Sequence, residues 1–201
     1  MSSATAAPRS KILMIVGDFA EDYEVMVPYQ TLETLGFQVD IVSPDKPAGD
    51  TIATAVHDFT GFQTYTETRG HNVALTRDLP ADAHVYAGLF VPGGRAPEFL
   101  RLDARVLALT RHFFETGKPV ACVCHGAQIL AAAGVLKGRT VTCYAACAPE
   151  VVLAGAQYKE VAPAEAVVDG NLVTSPAWPE HQALLKEFIK LLGVQVVHSK
   201  L

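Results

Sequence analysis

The segment that most constrains this chain is Lys118–Leu130, KPVACVCHGAQIL. Its early part, Pro119–Cys122, is apolar and compact, as in a central strand of a parallel sheet. Gly126 opens a run rich in helix formers, and Gly134 stands where a glycine commonly ends a helix. Cys124 is therefore predicted to lie on a sharp turn between a buried strand and a helix, which exposes a nucleophile at the edge of the sheet.

This predicted turn would also activate the thiol. Backbone N–H groups and the positive end of the following helix surround such a residue, and their field favours thiolate over thiol. We therefore interpret Cys124 as a nucleophile and the chain as an enzyme, the alternative being a buried structural thiol. Cys122, Cys143 and Cys147 are assigned structural roles.

Composition limits the fold class and the partners. The chain has 201 residues, half of them hydrophobic and 18% charged, which suits one globular domain. A net charge of −5 without any basic run argues against nucleic acid or an anionic membrane as partner, and no apolar run is long enough for a membrane span. We expect a flexible leader over residues 1–10 without a signal peptide, one domain over 11–195 and a tail over 196–201. A cytoplasmic location with reduced thiols follows from that expectation.

The first part of the chain predicts a βαβ unit. Lys11–Val16 reads as a buried strand, a helix spans about Val25–Leu35 and ends at Gly36, and Phe37–Ser43 reads as the second strand. A right-handed crossover between them implies a parallel sheet. The segment Asp45–Arg77 has no helical period, and we predict a peripheral hairpin there.

The rest of the chain continues the alternation of strands and helices. The pattern predicts one α/β sandwich with its active edge at the carboxyl ends of the strands. The predicted elements are strands at Tyr86–Pro92, Thr140–Cys143 and Gln157–Val161, a hairpin with a type I′ turn at Asp169-Gly170, and helices at Pro97–Leu102, Ala104–Thr116, Pro149–Ala154 and Glu180–Leu192.

Several residues could assist Cys124. His125 is a candidate base or proton shuttle, and its N–H group is a candidate oxyanion donor, with Gly93 and Gly94 as a second source of donors. Glu21 lies just beyond the first strand, where burial and a nearby thiolate would raise its pKa and make it a proton donor. From the sequence alone, Glu21 and its acidic neighbours are explained equally well as partners of a helix dipole.

No metal or cofactor is predicted. Cys122, Cys124 and His125, with His57 or His71, offer soft ligands, but the one-residue cysteine spacing is not that of a structural zinc site. The chain has no glycine-rich dinucleotide or phosphate-binding motif.

Four short motifs together resemble one known family. The chain is similar to the PfpI branch of the DJ/PfpI superfamily at GGRAPE (Gly93–Glu98), ACVCHG (Ala121–Gly126), EDYE (Glu21–Glu24) and GVLKGR (Gly134–Arg139). This resemblance implies a flavodoxin-like three-layer sandwich with a mainly parallel central sheet and a cysteine at the nucleophile elbow. The longer middle segment, Ala55–His71, is similar to the repeats of plant two-domain members regarded as cofactor-independent glyoxalases.

The resemblance also implies roles for particular residues. It implies Cys124 as the nucleophile, Glu21 as the carboxylic acid beside it and His125 as the adjacent histidine. Glu98 is implied as a carboxylate that orients a histidine across a subunit interface. We accordingly expect a homo-oligomer, whether dimer, trimer or hexamer.

Three classes of function stay open at this stage. The first is a glyoxalase that converts methylglyoxal or glyoxal to a 2-hydroxy acid through a Cys124 hemithioacetal. The second is a cysteine peptidase acting on peptides with Cys124, His125 and Glu98 of a neighbouring chain. The third is a thiol redox sensor, a stress chaperone or a protein deglycase. Roles for His57, His71, Tyr65 and Trp178 are left open.

Overall fold

The computed structural model describes residues 9–197, so the first eight residues of the predicted leader and residues 198–201 of the predicted tail lie outside it. Its strands are β1 (Lys11–Ile15), β2 (Ala20–Glu21), β3 (Gln38–Val42), β4 (Thr51–Asp58), β5 (Thr66–Ala74), β6 (Tyr86–Val91), β7 (Val120–Val123), β8 (Thr140–Val141), β9 (Gln157–Tyr158), β10 (Val167–Asp169) and β11 (Leu172–Ser175). Its helices are α1 (Asp22–Thr34), α2 (Ala96–Leu100), α3 (Ala104–Glu115), α4 (Ala127–Ala133), α5 (Ala148–Leu153) and α6 (His181–Leu191).

A six-stranded sheet with the order β10-β11-β7-β6-β1-β3 forms the centre of the fold. All of its neighbouring strands run parallel except β10 and β11, which form an antiparallel hairpin. The middle strands are apolar along their whole length because both of their faces are covered, and Ile12, Leu13 and Met14 are fully buried. The predicted mainly parallel sheet is confirmed.

The helices pack in two groups that complete the sandwich. Helix α1 contacts α6, whereas α2, α3 and α5 gather around α4. Both α3 and α6 present an apolar stripe to the core, with Phe113 and Phe188 fully buried. Within residues 9–197, no helix combines the length and the apolar character needed to cross a membrane.

The strand order places a crevice between β1 and β6. The chain leaves β1 toward β3 on one side and later returns to β6 and β7 on the other, so the direction of winding reverses between β1 and β6. Ligands of open α/β sheets bind at the carboxyl ends of the strands at such a reversal. The segments that follow β1, β6 and β7 meet there and carry Glu24, Gly94 and Cys124.

The predicted peripheral hairpin is formed by β4 and β5, and it belongs to the crevice. Strand β2 pairs in parallel with β4, so the hairpin is joined to the residues that precede α1. The second predicted hairpin, between β10 and β11, is also present, but its turn lies one residue further along. Asp169 pairs with Leu172, and positive φ occurs at Gly170 but not at Asn171. This is the type II′ pattern rather than the predicted type I′, because glycine occupies the first central position.

Candidate active site

Cys124 occupies the predicted turn between a strand and a helix. It follows β7 directly and begins a 3-10 turn, Cys124–Gly126, that leads into α4. Its φ is 58°, an unusual conformation for a residue with a side chain. Gly126 is required here because a Cβ atom would lie 2.7 Å from the carbonyl oxygen of Val91. The backbone N–H groups of His125 and Gly94 hydrogen-bond the Cys124 sulfur.

The thiol is buried more deeply than the sequence suggested, and burial changes its titration. Burial, followed by the negative charge of Glu24, raises the pKa of the Cys124 thiol, although the N–H groups of His125 and Gly94 act to lower it. The predicted preference for thiolate is therefore opposed by desolvation. Neutralising Glu24 would remove the electrostatic part of this rise.

The carboxyl group that faces this thiol belongs to Glu24. Glu24 is fully buried, and its Oε2 accepts a hydrogen bond of 2.7 Å from the Gly93 N–H group. Burial, then the charge of Glu21, raises the pKa of Glu24 well above its usual range, while hydrogen bonds from Gly93 and the Cys124 thiol act against this rise. Its Oε1 is buried and has no hydrogen-bond partner among the described residues. The resemblance implied Glu21 as the carboxylic acid beside the thiol, but in the structure Glu24 is the carboxyl group that contacts it.

Glu21 lies in the same cavity wall but is bound to other partners. It caps the start of α1, accepting from the Tyr23 N–H group at 3.2 Å. Its Oε2 atom accepts from the His57 N–H group at 2.9 Å and lies 2.5 Å from the His57 ring Nδ1. The other ring nitrogen, Nε2, lies 2.9 Å from Glu67 Oε2. Although burial acts to lower it, these two carboxylates raise the pKa of His57.

His125 lies against the nucleophile as predicted. Its Nδ1 atom is 3.2 Å from the Cys124 sulfur, and its ring stacks on Tyr144 with 4.9 Å between ring centroids. Burial, followed by the positive charge of His57, lowers the pKa of His125. A neutral imidazole at this position can exchange a proton with the thiol.

The two glycines after β6 have different functions in the structure. Gly93 uses its N–H group on Glu24, so the amide that remains for an oxyanion is that of Gly94. No side chain fits at Gly93, because a Cβ atom there would lie 2.7 Å from the Cβ of Cys124. Gly94 has a φ of 75° and a backbone contact with Glu21 that excludes a Cβ atom. The predicted close backbone approach is confirmed.

Glu98 lies outside this cluster. Its side chain is half exposed and lies 3.9 Å from Arg95, on the first turn of α2. It is close enough for its charge to raise the pKa of His125, against the larger effect of burial. Its implied role across a subunit interface stays a prediction.

An enclosed cavity surrounds the Cys124 sulfur. The space open to a water molecule is only about 10 Å³, and the lining consists of Glu21, Glu24, His57, Phe59, Tyr65, Gly94, Cys124, His125, Ala177 and Trp178. Phe59 stacks on Tyr144 and Trp178, with ring centroids 6.3 and 6.4 Å apart. Larger clefts lie on the surface, such as one of about 520 Å³ beside Arg77, whose lining contains no cysteine.

The structure shows where the four residues without a predicted role lie. His57, Tyr65 and Trp178 belong to the wall, and Trp178 donates its ring N–H to the His57 carbonyl at 2.9 Å. His71 lies elsewhere, with an exposed ring held 3.1 Å from Asp22. Among residues 9–197, no group of three or more His, Cys, Asp or Glu side chains is arranged to hold a metal ion.

Similarity to known proteins identifies the family. The sequence pattern of the DJ-1/PfpI family matches residues 10–191. The chain belongs to the DJ-1/PfpI family. It is 52% identical over 190 residues to protein DJ-1 homolog D of Arabidopsis thaliana, an alignment that covers 92% of this chain and 48% of that protein. The chain thus spans about half the length of this curated relative, and the same holds for DJ-1 protein homolog E of that plant.

Shorter relatives match over their whole length. The chain is 36% identical over 185 residues to deglycase PH1704 of Pyrococcus horikoshii, covering 90% of this chain and 99% of the relative. DJ-1beta of Drosophila melanogaster has the same fold, with a TM-score of 0.75 at 21% identity, covering 93% of this chain and 92% of the other. The implied family and the flavodoxin-like fold are confirmed.

Sequence reasoning missed Glu24 and Glu67. The sequence explains Glu24 equally well as one of several acidic partners of the helix dipole, and Glu67 lies in a segment without a clear pattern. One signal was available for the first of these. A residue at the third position of a helix points back toward its N-terminus, and therefore toward the strand ends.

Proposed function

We propose that this chain is a cofactor-independent glyoxalase that converts methylglyoxal or glyoxal to the corresponding 2-hydroxy acid. The supporting observation is the enclosed cavity around Cys124, where a carboxyl group, an imidazole and two N–H donors meet the sulfur. An enclosed site of this kind favours a substrate of two or three carbons, admitted by a movement of one wall side chain, over a polypeptide, which needs an open groove. Some relatives are named deglycases, which supports an enzymatic activity without specifying this one.

The reaction begins with addition to the aldehyde. The Cys124 thiolate attacks the aldehyde carbon, C1, and the resulting alkoxide accepts hydrogen bonds from the N–H groups of Gly94 and His125. The carboxylic acid of Glu24 protonates this alkoxide, which completes the hemithioacetal. Glu24 is then a carboxylate and can act as a base.

The second stage moves two protons along the substrate. Glu24 takes the proton from C1 and returns it at C2, and His125 passes the proton of the C1 hydroxyl group to the C2 oxygen, so C1 becomes a thioester carbonyl and C2 carries a hydroxyl group. One carbon is oxidised and the other is reduced, so no external electron acceptor is needed. Water then hydrolyses the thioester, with His125 assisting, and releases the 2-hydroxy acid and the Cys124 thiol.

Lactate formation from methylglyoxal in the absence of glutathione tests the proposal. We expect turnover by the wild type and a loss of at least about a hundredfold in both Cys124→Ser and Glu24→Gln. Cys143→Ser is the matched control, because Cys143 is buried but does not line the cavity. Wild-type protein that forms no lactate above the buffer control would refute the glyoxalase.

A deglycase is the second candidate, and the names of relatives such as deglycase PH1704 favour it. It would remove the same aldehydes from thiol or amine adducts at the same cysteine. Adducts of N-acetylcysteine with methylglyoxal distinguish the two. A glyoxalase can consume the adduct only as fast as free aldehyde is released spontaneously, whereas a deglycase exceeds that rate.

The peptidase requires a neighbouring chain, and we further propose a homo-oligomer formed through α2. Beside Glu98, Phe99 is 57% exposed and Leu102 is 77% exposed, an apolar surface that suits a subunit contact. Light scattering after size exclusion tests this, and Leu102→Glu should yield monomers. Peptidase activity should be lost in the Leu102→Glu variant. If the wild type is monomeric and still turns over methylglyoxal, the subunit contact is not needed for the glyoxalase activity.

A further inference from the structure

Few hydrogen-bond donors in the cavity around Cys124 are free to bind a substrate. Trp178 donates its ring N–H group to the His57 carbonyl oxygen at 2.9 Å. The two ring nitrogens of His57 face carboxylates, Nδ1 toward Glu21 at 2.5 Å and Nε2 toward Glu67 at 2.9 Å. Trp178 and His57 both line the cavity, but their N–H groups are bound within its wall. A substrate must therefore find its donors among other groups.

The backbone donors near the sulfur serve one oxygen atom of the substrate. The N–H groups of Gly94 and His125 hydrogen-bond the Cys124 sulfur in the resting protein. In the proposed reaction they bind the oxygen on C1, the carbon that the sulfur attacks. Each N–H group carries a single hydrogen atom. The second oxygen of a 1,2-dicarbonyl compound, on C2, therefore needs a donor of its own.

The C2 oxygen is also the atom on which negative charge develops. When Glu24 takes the proton from C1, the electron pair of the broken bond forms a C1–C2 double bond, and the pair of the C2 carbonyl bond moves onto its oxygen. The resulting enediolate carries its charge on the C2 oxygen until a proton arrives there. A donor at this oxygen stabilises the transition state more than the substrate, so its removal should lower kcat.

Tyr65 brings a hydroxyl group to this cavity. It immediately precedes β5 and lines the cavity together with Cys124. Its ring meets three other rings edge-on, with centroids 4.9 Å apart for His57, 5.7 Å for His125 and 5.5 Å for Tyr144. Edge-to-face contacts of this kind are directional, so three of them fix the plane of the Tyr65 ring in the cavity wall.

The hydroxyl group of Tyr65 is protonated and is not engaged by the protein. Burial, followed by the charge of Cys124, raises the pKa of Tyr65, so the group keeps its hydrogen atom at neutral pH. Among residues 9–197, no protein group forms a hydrogen bond with this hydroxyl. The remaining donor side chain of the lining, His125, has its Nδ1 atom 3.2 Å from the sulfur and, like Glu24, carries protons in the proposed reaction. Tyr65 is thus the donor left for the C2 oxygen.

We propose that the Tyr65 hydroxyl group donates a hydrogen bond to the oxygen on C2 of the substrate and makes the site selective for 1,2-dicarbonyl compounds over simple aldehydes. An aldehyde without that oxygen leaves the hydroxyl group unpaired in an enclosed cavity, which weakens its binding. This inference rests on the proposed function and adds a catalytic residue to it, since Tyr65 touches the reacting atoms. The hairpin of β4 and β5 then contributes directly to the chemistry.

Replacing Tyr65 by phenylalanine removes the hydroxyl group and keeps the ring with its edge-on contacts. The kcat of Tyr65→Phe for methylglyoxal should fall by about a hundredfold, as is usual when one donor to a developing oxyanion is lost. Tyr29→Phe is the matched control and should keep the wild-type kcat, because Tyr29 is a partly buried tyrosine of α1 that does not line the cavity. A Tyr65→Phe protein with the wild-type kcat and KM would overturn the proposal, since that is the result for a tyrosine that only packs.

Protection of Cys124 from iodoacetamide tests the same contact without turnover. In a Glu24→Gln background the reaction stops at the hemithioacetal, so the aldehyde concentration that halves the alkylation rate measures binding. Tyr65→Phe should raise that concentration by about fivefold for methylglyoxal and leave it unchanged for propanal, which has three carbons but no oxygen on C2. Equal changes for the two aldehydes, or no protection by methylglyoxal in either protein, would overturn the proposal. Selective protection together with absent lactate formation by the wild type would retain the Tyr65 contact and reject only the glyoxalase.

Discussion

Replacing Phe59 by alanine tests whether the aromatic wall limits the size of the aldehyde that reaches Cys124. The space beside the sulfur that is open to the centre of a water molecule is about 10 Å³, which is roughly enough for a single water. A side chain must therefore move before even methylglyoxal can bind. Phe59 lies on the connection between β4 and β5 and is 50% exposed, so its ring can swing outward with little loss of packing.

The structure sets the size of the expected effects. A fully buried phenylalanine replaced by alanine costs about 3–5 kcal/mol of unfolding free energy, so a half-buried ring should cost about 2 kcal/mol. The ratio of kcat/KM for phenylglyoxal to that for methylglyoxal should rise by about tenfold or more, since the wall no longer excludes the larger group. Urea denaturation and steady-state kinetics measure the two quantities.

Phe62→Ala is the matched control. Phe62 belongs to the same connection but is 73% exposed and does not line the cavity. The Phe62→Ala protein should therefore keep the wild-type unfolding free energy and the wild-type ratio of kcat/KM values. N-ethylmaleimide should alkylate Cys124 faster in Phe59→Ala than in Phe62→Ala, which gives a readout independent of turnover. Equal ratios and equal alkylation rates in the two variants would show that Phe59 does not limit access.

Three further predictions follow from the same geometry. Gly94→Ala should lower the free energy of unfolding by several kcal/mol more than Gly117→Ala. Gly117 also has a positive φ, but a Cβ atom there would meet no atom within 4 Å, so its substitution costs only about 1–2 kcal/mol of backbone strain. Equal urea midpoints for the two variants would contradict this. Because the pKa of His57 is raised, its stabilisation is complete below its unfolded pKa of about 6.5 and is lost as the pH rises through the folded pKa, so His57→Gln should destabilise more at about pH 6 than at about pH 9. Burial lowers the pKa of His181 to about 4, so stability should fall by about 3 kcal/mol as the pH drops from about 6.5 to 4. A His181→Gln protein should lack that dependence in thermal melts across the same range.

Local chemistry was enough to predict the position of Cys124 and the fold around it. A compact apolar strand, a cysteine and an immediate helix allow few arrangements other than an elbow, and the structure contains that elbow at Cys124. The glycine pair after β6 was predicted for the same reason, since close backbone approach excludes other residues. These inferences depend on neighbours along the chain, which a sequence displays directly.

The acid beside the nucleophile could not be chosen in this way. Glu21 and Glu24 are both acidic residues at a helix start, and only the direction of α1 relative to β7 decides which one faces the sulfur. Deep burial of the thiol is likewise a property of the assembled wall. Phe59 and Trp178 are 119 positions apart in the sequence and stack only when the chain is folded.

The sequence by itself therefore determined the parallel sheet, the elbow and the position of Cys124 on it, because periodicity and turn chemistry act over a few residues. Only the tertiary structure decided the charges, because they depend on which buried groups share a wall. His57 reaches Glu21 across 36 positions and Glu67 across ten, and neither distance leaves a pattern in the sequence. Those contacts place the His57 ring between two carboxylates in the wall of the cavity that Cys124 lines.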